Sequence, residues 1–287
     1  MARIGPVWSS DIRGNIARML EEFSAVQRLA PKAGVSVERD VSYGPHERHE
    51  LDVYLPAADG VRPALVFIHG GAFTEGHRNR SAEIYANVLY YLARHGVVGV
   101  NANYRLAPEA RHPDAARDVG SVVAWVRANA ARLRVDPQRI FVLGHSAGAA
   151  HVASFAYDPA VHGAVGPGIA GAIMISGRVR ADNLLVNPNA RKVEAYYGSD
   201  ASQLDRLSPV GMVTADSPPT LVAWAEYENP LLDIYSLELA HRLAAARGRA
   251  GPVLRLTGHN HTSIIAHLNL ADDQLGRAIR DFIDHPD

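Results

Sequence analysis

Short apolar runs alternate with longer segments of helical spacing from about residue 61 onward. Residues 64–68, ALVFI, contain no polar side chain, which is typical of a strand buried on both faces of a parallel sheet. Similar runs predict strands at 97–100, 140–143, 169–175, 220–225 and 253–256. Apolar positions at helical spacing predict helices at 81–94, 114–133, 232–247 and 271–283, and another that opens at residue 146. This alternation predicts a mostly parallel sheet with helices on both faces.

The segments that flank and interrupt this alternation have a different pattern. Residues 35–43 and 49–55 alternate apolar and polar positions, which indicates an antiparallel pair of strands before the parallel sheet. The first thirty residues are helix-like, and 178–217 is rich in Asn, Pro, Ser and Asp. We expect cap elements within 1–34 and 178–217 that fold over the strand ends. The simplest organisation is a single domain over residues 1–287.

The composition excludes several classes of protein. The 29 basic and 30 acidic side chains nearly cancel and form no basic run, so neither nucleic acid nor an anionic membrane is an expected partner. The chain has no cysteine, which excludes disulfides, zinc–thiolate sites and cysteine nucleophiles. Residues 1–10 lack the apolar core of a signal peptide, and no stretch approaches the ~20 apolar residues that span a bilayer. We therefore expect a soluble cytoplasmic protein, and the sequence is compatible with a homodimer.

The segment Gly144-His145-Ser146-Ala147-Gly148 matches the pattern G-x-S-x-G. It follows the predicted strand 140–143 directly and opens an alanine-rich helix, which is the strand–turn–helix context of a nucleophile elbow. Such a tight turn requires flanking residues without bulk, and its serine stands at the carboxyl end of the sheet, where ligands bind. A serine that only caps a helix would need neither glycine. The pattern therefore predicts an α/β-hydrolase fold with Ser146 as nucleophile.

A second glycine-rich segment, His69-Gly70-Gly71-Ala72, leaves the predicted strand 64–68. This is where the fold carries an HGGG-type loop, whose backbone N–H groups stabilise the negative oxygen of a tetrahedral intermediate. Alanine replaces the third glycine but keeps a free N–H. We expect the oxyanion hole to comprise Gly71 and Ala72, with Gly70, together with the N–H of Ala147. A glycine-rich turn without a ligand is the alternative.

Three segments together resemble a known group of enzymes: residues 69–71, the sequence YRLAPE at 104–109, and 144–148. In order and spacing they are similar to the hormone-sensitive-lipase-like (family IV) bacterial carboxylesterases and to the smaller feruloyl-esterase-like and arylformamidase-like relatives. The resemblance extends from about residue 51 to the C-terminus. It implies that the YRLAPE segment braces the oxyanion loop. It also implies structural rather than chemical roles for Tyr104, Arg105 and Asp118.

Enzymes with this elbow carry their triad in the order Ser, Asp or Glu, His, so the base must come late in the chain. The late candidates are His259, His261 and His267. The relatives have a histidine followed by an apolar or small residue and then a helix, which the segment around His261 resembles most closely. His261 is therefore the expected base, with His259 as the alternative. A metal site formed by the three histidines is not expected, because no carboxylate with ligand spacing accompanies them.

The acid of the triad should follow the predicted strand 220–225, where Glu226, Glu228 and Asp233 are candidates. The related esterases have an aspartate just before Pro-Leu, but here Asn229 takes that position. An amide cannot stabilise an imidazolium as a carboxylate does. The neighbouring Glu228 is therefore the expected acid, and Asp233 and Glu226 are alternatives.

These residues predict a serine carboxylesterase that hydrolyses short-chain or aryl esters through an acyl-enzyme, with no cofactor. The expected partner is a small-molecule ester. A formamidase or amidase with the same triad is one alternative, although residues 69–73, HGGAF, differ from the HGGYW of arylformamidase-like relatives. A catalytically inactive receptor for small molecules is another. Four aromatic residues either line a substrate pocket or pack in the core: Tyr196, Tyr197, Trp224 and Tyr227.

Overall fold

The computed structural model describes residues 4–286, in which eight strands form one sheet. In chain order they are β1 (Val35–Ser42), β2 (Glu50–Pro56), β3 (Arg62–Ile68), β4 (Val98–Ala102), β5 (Val135–His145), β6 (Gly171–Ile175), β7 (Thr220–Tyr227) and β8 (Val253–Asn260). Their order across the sheet is β1-β2-β4-β3-β5-β6-β7-β8. Strands β3 to β8 pair in parallel, whereas β1 and β2 form an antiparallel pair that joins the sheet at β4. The predicted α/β-hydrolase fold is confirmed.

Helices cover both faces of this sheet. They are α1 (Ile12–Gln27), α2 (Ala86–Arg94), α3 (Asp114–Ala128), α4 (Ala130–Leu133), α5 (Ala147–Tyr157), α6 (Pro159–His162), α7 (Ala190–Tyr197), α8 (Ala201–Leu207), α9 (Leu232–Arg247), α10 (Ser263–Ala266) and α11 (Gln274–Asp284). Apolar side chains of α3, α5 and α9 pack in one cluster, and those of α2, α10 and α11 pack in another. No helix in residues 4–286 combines the length and apolar character needed to cross a membrane.

Strand β3 shows why the central runs lack polar residues. Ala64, Val66 and Ile68 belong to one apolar cluster, whereas Leu65 and Phe67 belong to the cluster on the opposite face. All five side chains are fully buried. Each large aliphatic or aromatic side chain removed from water contributes about 1.5–3 kcal/mol, so a continuous apolar run stabilises a strand that helices cover on both sides.

The structure moves several predicted boundaries. The predicted helix 81–94 begins only at residue 86, because the Ser81 hydroxyl accepts hydrogen bonds from the N–H groups of Glu83 and Ile84 and closes a turn. The predicted helix 114–133 divides at Asn129, which ends α3 and precedes α4. Strand β8 continues to residue 260, four residues beyond the predicted end.

Each of the two expected cap segments contains at least one helix. In the first, α1 is fastened to the body of the fold by Gln27, whose Nε2 donates to the carbonyls of Ala266 and Leu268 at 2.8 and 2.7 Å. Residues 1–3 of that segment lie outside the described residues. In the second segment, 178–217, the chain forms α7 and α8.

Candidate active site

Ser146 lies in the sharp turn between β5 and α5. Its backbone angles are φ 58° and ψ −120°, a conformation that side-chain-bearing residues seldom adopt. Such strain costs about 1–3 kcal/mol and concentrates at functional sites. The turn is held by hydrogen bonds on both sides: Ser146 N donates to the carbonyl of Ile175 at 3.0 Å, and its carbonyl accepts from Ala149 N at 3.1 Å. The hydroxyl is thereby fixed at the carboxyl edge of the sheet.

The glycines of the motif permit this turn because their neighbours are backbone atoms. A Cβ on Gly144 would stand 2.5 Å from the Cα and N atoms of Ala149. A Cβ on Gly148 would overlap the carbonyl oxygens of Ile68 and His69. Backbone cannot move aside as a flexible side chain can, so any larger residue would push α5 away from β3. The G-x-S-x-G spacing is therefore a steric requirement of the elbow.

Ser146, His261 and Glu228 are brought together in one hydrogen-bonded row. The Ser146 hydroxyl lies 3.0 Å from His261 Nε2, and His261 Nδ1 lies 2.7 Å from Glu228 Oε2. The imidazole tautomer that satisfies both contacts carries its hydrogen on Nδ1, donates to the carboxylate and accepts from the serine hydroxyl. The His261 and Glu228 side chains are 6% and 3% exposed, so solvent screens this pair little. This arrangement can deprotonate a serine hydroxyl.

Glu228 is held in place by two donors on its other oxygen. Its Oε1 accepts from Ala225 N at 2.8 Å and from the hydroxyl of Ser176. Ser176 follows the last residue of β6, at the same edge of the sheet as Ser146. Sequence reasoning missed Ser176, although a polar residue directly after a buried strand is a signal for this edge. The two donors orient the carboxylate toward the imidazole.

His145 supports His261 from the elbow itself. Its Nε2–H donates to the carbonyl of His261 at 2.9 Å, and the two rings lie 4.9 Å apart. Burial, with a smaller contribution from the charge of His261, holds the pKa of His145 well below its usual range. His145 is therefore neutral and keeps a hydrogen for this bond. It occupies the variable position of G-x-S-x-G, which is why the motif did not single it out.

The other candidate acids have partners elsewhere. The carboxylate of Glu226 accepts from Gly258 N at 2.7 Å and from Arg255 at 3.1 Å. Asp233 is exposed in the first turn of α9. Asn229, which stands where relatives have an aspartate, is buried and accepts a hydrogen bond from Trp8 Nε1 at 3.0 Å. Asn229 thus anchors the N-terminal segment and leaves the contact with His261 to Glu228.

The three late histidines do not gather at one place. His261 lies at Ser146, whereas the rings of His259 and His267 contact each other at a tilt of 46°, with centroids 4.2 Å apart. The expectation that no carboxylate accompanies them is wrong for this pair, because Asp272 Oδ2 lies 3.0 Å from His259 Nε2. Sequence spacing missed this aspartate because the chain turns back between α10 and α11.

The loop after β3 lines the same cavity as Ser146 and carries unpaired backbone N–H groups. Gly71 has φ 151°, and a Cβ there would overlap the carbonyl of Glu75, so only glycine fits. Ala72 follows with φ 48°. The N–H groups of Gly71, Ala72 and Ala147 donate to no acceptor within residues 4–286. Gly70 lines the same cavity, and its carbonyl accepts from His69 Nδ1 at 2.8 Å. This geometry can receive an oxyanion.

The YRLAPE segment supports this loop from below. Tyr104 Oη donates to the carbonyl of His69 at 2.9 Å, and the two rings stack 4.4 Å apart. Burial lowers the pKa of His69 to about 3, so its ring remains neutral. Arg105 donates to both oxygens of the buried Asp118 at distances between 2.7 and 3.1 Å. These contacts fit the structural role that the resemblance implies for Tyr104, Arg105 and Asp118.

Ser146 opens onto a cavity of about 820 Å³. Both expected cap segments contribute to its walls: α1 supplies apolar side chains, and Asn189 and Lys192 at the start of α7 supply polar ones. The lining includes Ile12, Ile16, Leu20, Tyr85, Ile265 and Arg80. The four aromatic residues singled out from the sequence are not among the lining residues. Tyr196 and Tyr197 pack against Phe73 in the apolar core instead.

Solved structures with the same architecture include two esterases. The hyperthermophilic esterase from Pyrobaculum calidifontis is 25% identical, with a TM-score of 0.71 over 93% of this chain and 92% of that one. A bacterial heroin esterase gives a TM-score of 0.74 at 23% identity, over 96% and 92% of the two chains.

The chain has the α/β-hydrolase fold, which its strand order and the likeness to these two esterases support. The expected resemblance to carboxylesterases is confirmed by one family model and by curated relatives. The family model BD-FAE matches residues 51–159. Esterase LipC of Mycobacterium tuberculosis is 30% identical over 265 residues, which cover 84% of this chain and 64% of LipC. A probable isoprenylcysteine alpha-carbonyl methylesterase of Arabidopsis thaliana is 34% identical over 122 residues, or 42% of this chain and 28% of the relative. The chain thus spans less than two thirds of the length of either curated relative.

Proposed function

We propose that this α/β hydrolase is a serine carboxylesterase that hydrolyses short-chain or aryl carboxylic esters. The observation that carries the proposal is the row from Glu228 through His261 to the Ser146 hydroxyl, with contacts of 2.7 and 3.0 Å, beside a cavity that Ser146 and His261 line. Nucleophile, base and acid in mutual contact are the geometric requirement for acyl transfer by a serine hydrolase.

The proposed reaction begins when Ser146 Oγ attacks the ester carbonyl carbon and His261 Nε2 accepts the hydroxyl proton. The carbonyl electron pair moves to oxygen, which the N–H groups of Gly71, Ala72 and Ala147 receive. Collapse of the tetrahedral intermediate expels the alcohol, which takes the proton from His261 and leaves an acyl-enzyme. Water, deprotonated by the same imidazole, then releases the carboxylic acid. No step requires a cofactor.

Two features supply most of the transition-state stabilisation in this proposal. The backbone N–H groups are fixed by the loop before substrate arrives, and one such donor is worth about 2.7–4 kcal/mol in a measured case. Glu228 stabilises the imidazolium that forms when His261 takes the proton. Because Ser176 and Ala225 N hold the carboxylate, it need not reorient during the reaction.

The cavity supports a small-molecule substrate. Its volume of about 820 Å³ is within the range of about 300–1,000 Å³ common for small-ligand sites. The apolar side chains of α1 line one wall, which suits a short acyl or aryl group. The names of the two relatives, an esterase and a probable methylesterase, favour ester substrates.

A comparison of substrates tests this proposal. The wild-type protein should hydrolyse p-nitrophenyl acetate and butyrate faster than p-nitrophenyl palmitate and faster than N-formyl aromatic amines. Faster release of aniline from the formyl amides would support a formamidase instead. Failure of the wild-type protein to hydrolyse any ester would contradict the proposal and favour a receptor. The Ser146→Ala variant controls for contaminating esterases.

The remaining expectations from the sequence stay predictions. We propose that residues 1–287 act as a single catalytic domain, with α1 and the segment of α7 and α8 as its cap. A cytoplasmic location and a homodimer also stay predictions.

A further inference from the structure

A second group of histidines lies close to His261 along the chain but outside the row with Ser146. His259 stands near the end of β8, His267 follows α10, and Asp272 precedes α11. One ligand-capable atom from each residue lies within 4.8 Å of the other two. His259 Nε2 contacts Asp272 Oδ2 at 3.0 Å. Three groups from the consecutive elements β8, α10 and α11 therefore converge on one small volume.

His267 is the unusual member of this group. Its Nδ1–H donates to the carbonyl of Ser263 at 2.8 Å, which fixes the tautomer and leaves a lone pair on Nε2. That Nε2 is fully buried and has no hydrogen-bond partner within residues 4–286, and the residue is only 2% exposed. A buried nitrogen of this kind normally has a partner.

We propose that His259, His267 and Asp272 form a binding site for a divalent transition metal, with Zn²⁺ as the best match. Two imidazole nitrogens and one carboxylate oxygen suit Zn²⁺, which takes four ligands, and a water molecule would complete the tetrahedron. Mg²⁺ and Ca²⁺ prefer oxygen ligands and should bind poorly. The bond from His267 Nδ1–H to a backbone carbonyl is the outer contact that metal-binding histidines typically make.

The hydrogen bonds around His259 allow the imidazole to change tautomer when a metal binds, with no proton gained or lost. Without metal, His259 carries its hydrogen on Nε2 and donates to Asp272, while Nδ1 accepts from Ser263 Oγ at 3.2 Å. With metal on Nε2, the hydrogen moves to Nδ1 and is donated to Ser263 Oγ. The serine hydroxyl then turns to the carbonyl of Asn260, 3.4 Å away. The imidazole remains neutral in both states.

A metal at this site would connect the end of β8, the end of α10 and the start of α11. His261 lies two residues from His259 but contacts Ser146 and Glu228 instead. We therefore infer a stabilising role for the metal outside the chemical step. The inference does not depend on the proposed esterase activity.

Calorimetric titration of chelator-treated protein with ZnCl₂ tests the site. The wild-type protein should bind one equivalent, and its melting temperature should rise with Zn²⁺ but not with Mg²⁺. Asp272→Asn changes a half-exposed side chain and should leave the fold intact. It should weaken binding by at least about tenfold, the loss seen even for outer contacts of metal sites. His267→Gln should have the same effect.

Two controls separate this site from other histidines. His285→Gln removes an exposed histidine and should bind like wild type, as should His261→Ala. Absence of heat together with an unchanged melting temperature would overturn the proposal, since the buried Nε2 would then hold only water. Undiminished binding by both Asp272→Asn and His267→Gln would also overturn it, because the metal would then occupy another site.

Discussion

Two rows of serine, histidine and acid lie on either side of residue 260. In the first, His261 lies between the Ser146 hydroxyl at 3.0 Å and Glu228 at 2.7 Å. In the second, His259 lies between the Ser263 hydroxyl at 3.2 Å and Asp272 at 3.0 Å. The chemical types are the same and the distances differ by only a few tenths of an ångström. A list of hydrogen bonds alone would not distinguish a catalytic row from a structural one.

The two rows differ in what surrounds the serine. Ser146 stands on a strained turn with φ 58° and opens onto the cavity that Gly71 and Ala72, with their unpaired N–H groups, also line. Ser263 is completely buried at the start of α10, and its hydroxyl already accepts from Asn260 N at 2.9 Å. A nucleophile needs room for the substrate and donors for the oxyanion, and only the first row has both. Access and unpaired donors are therefore the reason why we propose the first row as the catalytic one.

Removal of each serine should give the largest contrast. We expect Ser146→Ala to lower kcat by about 10⁶-fold, the loss measured for an equivalent serine in another hydrolase. Ser263→Ala should retain kcat within about tenfold, because its hydroxyl only orders the loop. Initial rates with p-nitrophenyl acetate measure both. A similar loss in the two variants would mean that the second row contributes to catalysis.

The histidines provide the next contrast. His261→Ala should lower kcat almost as far as Ser146→Ala, because the triad members act as a unit. The kcat of the double variant Ser146→Ala/His261→Ala should therefore be little lower than that of either single variant. His259→Gln should mainly lower the melting temperature, since it removes contacts to Ser263 and Asp272. If His261→Ala kept substantial activity and lost it when His259→Gln was added, this division of roles would be contradicted.

Substitution of the two acids, Glu228 and Asp272, should give a smaller contrast in kcat. We expect Glu228→Gln to lower kcat by about 10⁴-fold, as an amide fixes the wrong tautomer and cannot stabilise the imidazolium. Asp272→Asn should leave kcat nearly unchanged in metal-free protein. The pair is a matched test, because each change replaces one carboxylate oxygen by an amide nitrogen. Equal effects on kcat would indicate that Glu228 has only a structural role.

Acid should weaken the fold through buried histidines outside the first row. Burial lowers the pKa of His69 from 6.5 to about 3. Between these two pH values the unfolded chain binds a proton at His69 and the folded chain does not. The free energy of unfolding should therefore fall as pH decreases from about 6.5 toward 3. His145 and His151, both with a pKa lowered by burial, add to the same trend. Urea unfolding at several pH values measures it, and an unchanged midpoint between pH 7 and 5 would contradict it.

The sequence predicted the parts of this molecule that depend on local pattern. Apolar runs and the glycines around Ser146 reflect burial and steric limits that act within a few residues, so the sheet and elbow could be predicted. Asp272 could not, because only the turn between α10 and α11 brings it to His259. Ser176 likewise reaches Glu228 only through the alignment of β6 with β7. Long-range partners depend on strand order, which periodicity does not contain.

The central claim is that Ser146 is the one activated serine of this chain. Brief treatment with a fluorophosphonate, followed by mass spectrometry of the digested protein, measures this directly. We predict one phosphonyl group per chain, on the peptide that contains Ser146, in wild-type and Ser263→Ala protein and none in Ser146→Ala. Labelling of a different serine, or an active esterase that takes up no label, would contradict the claim.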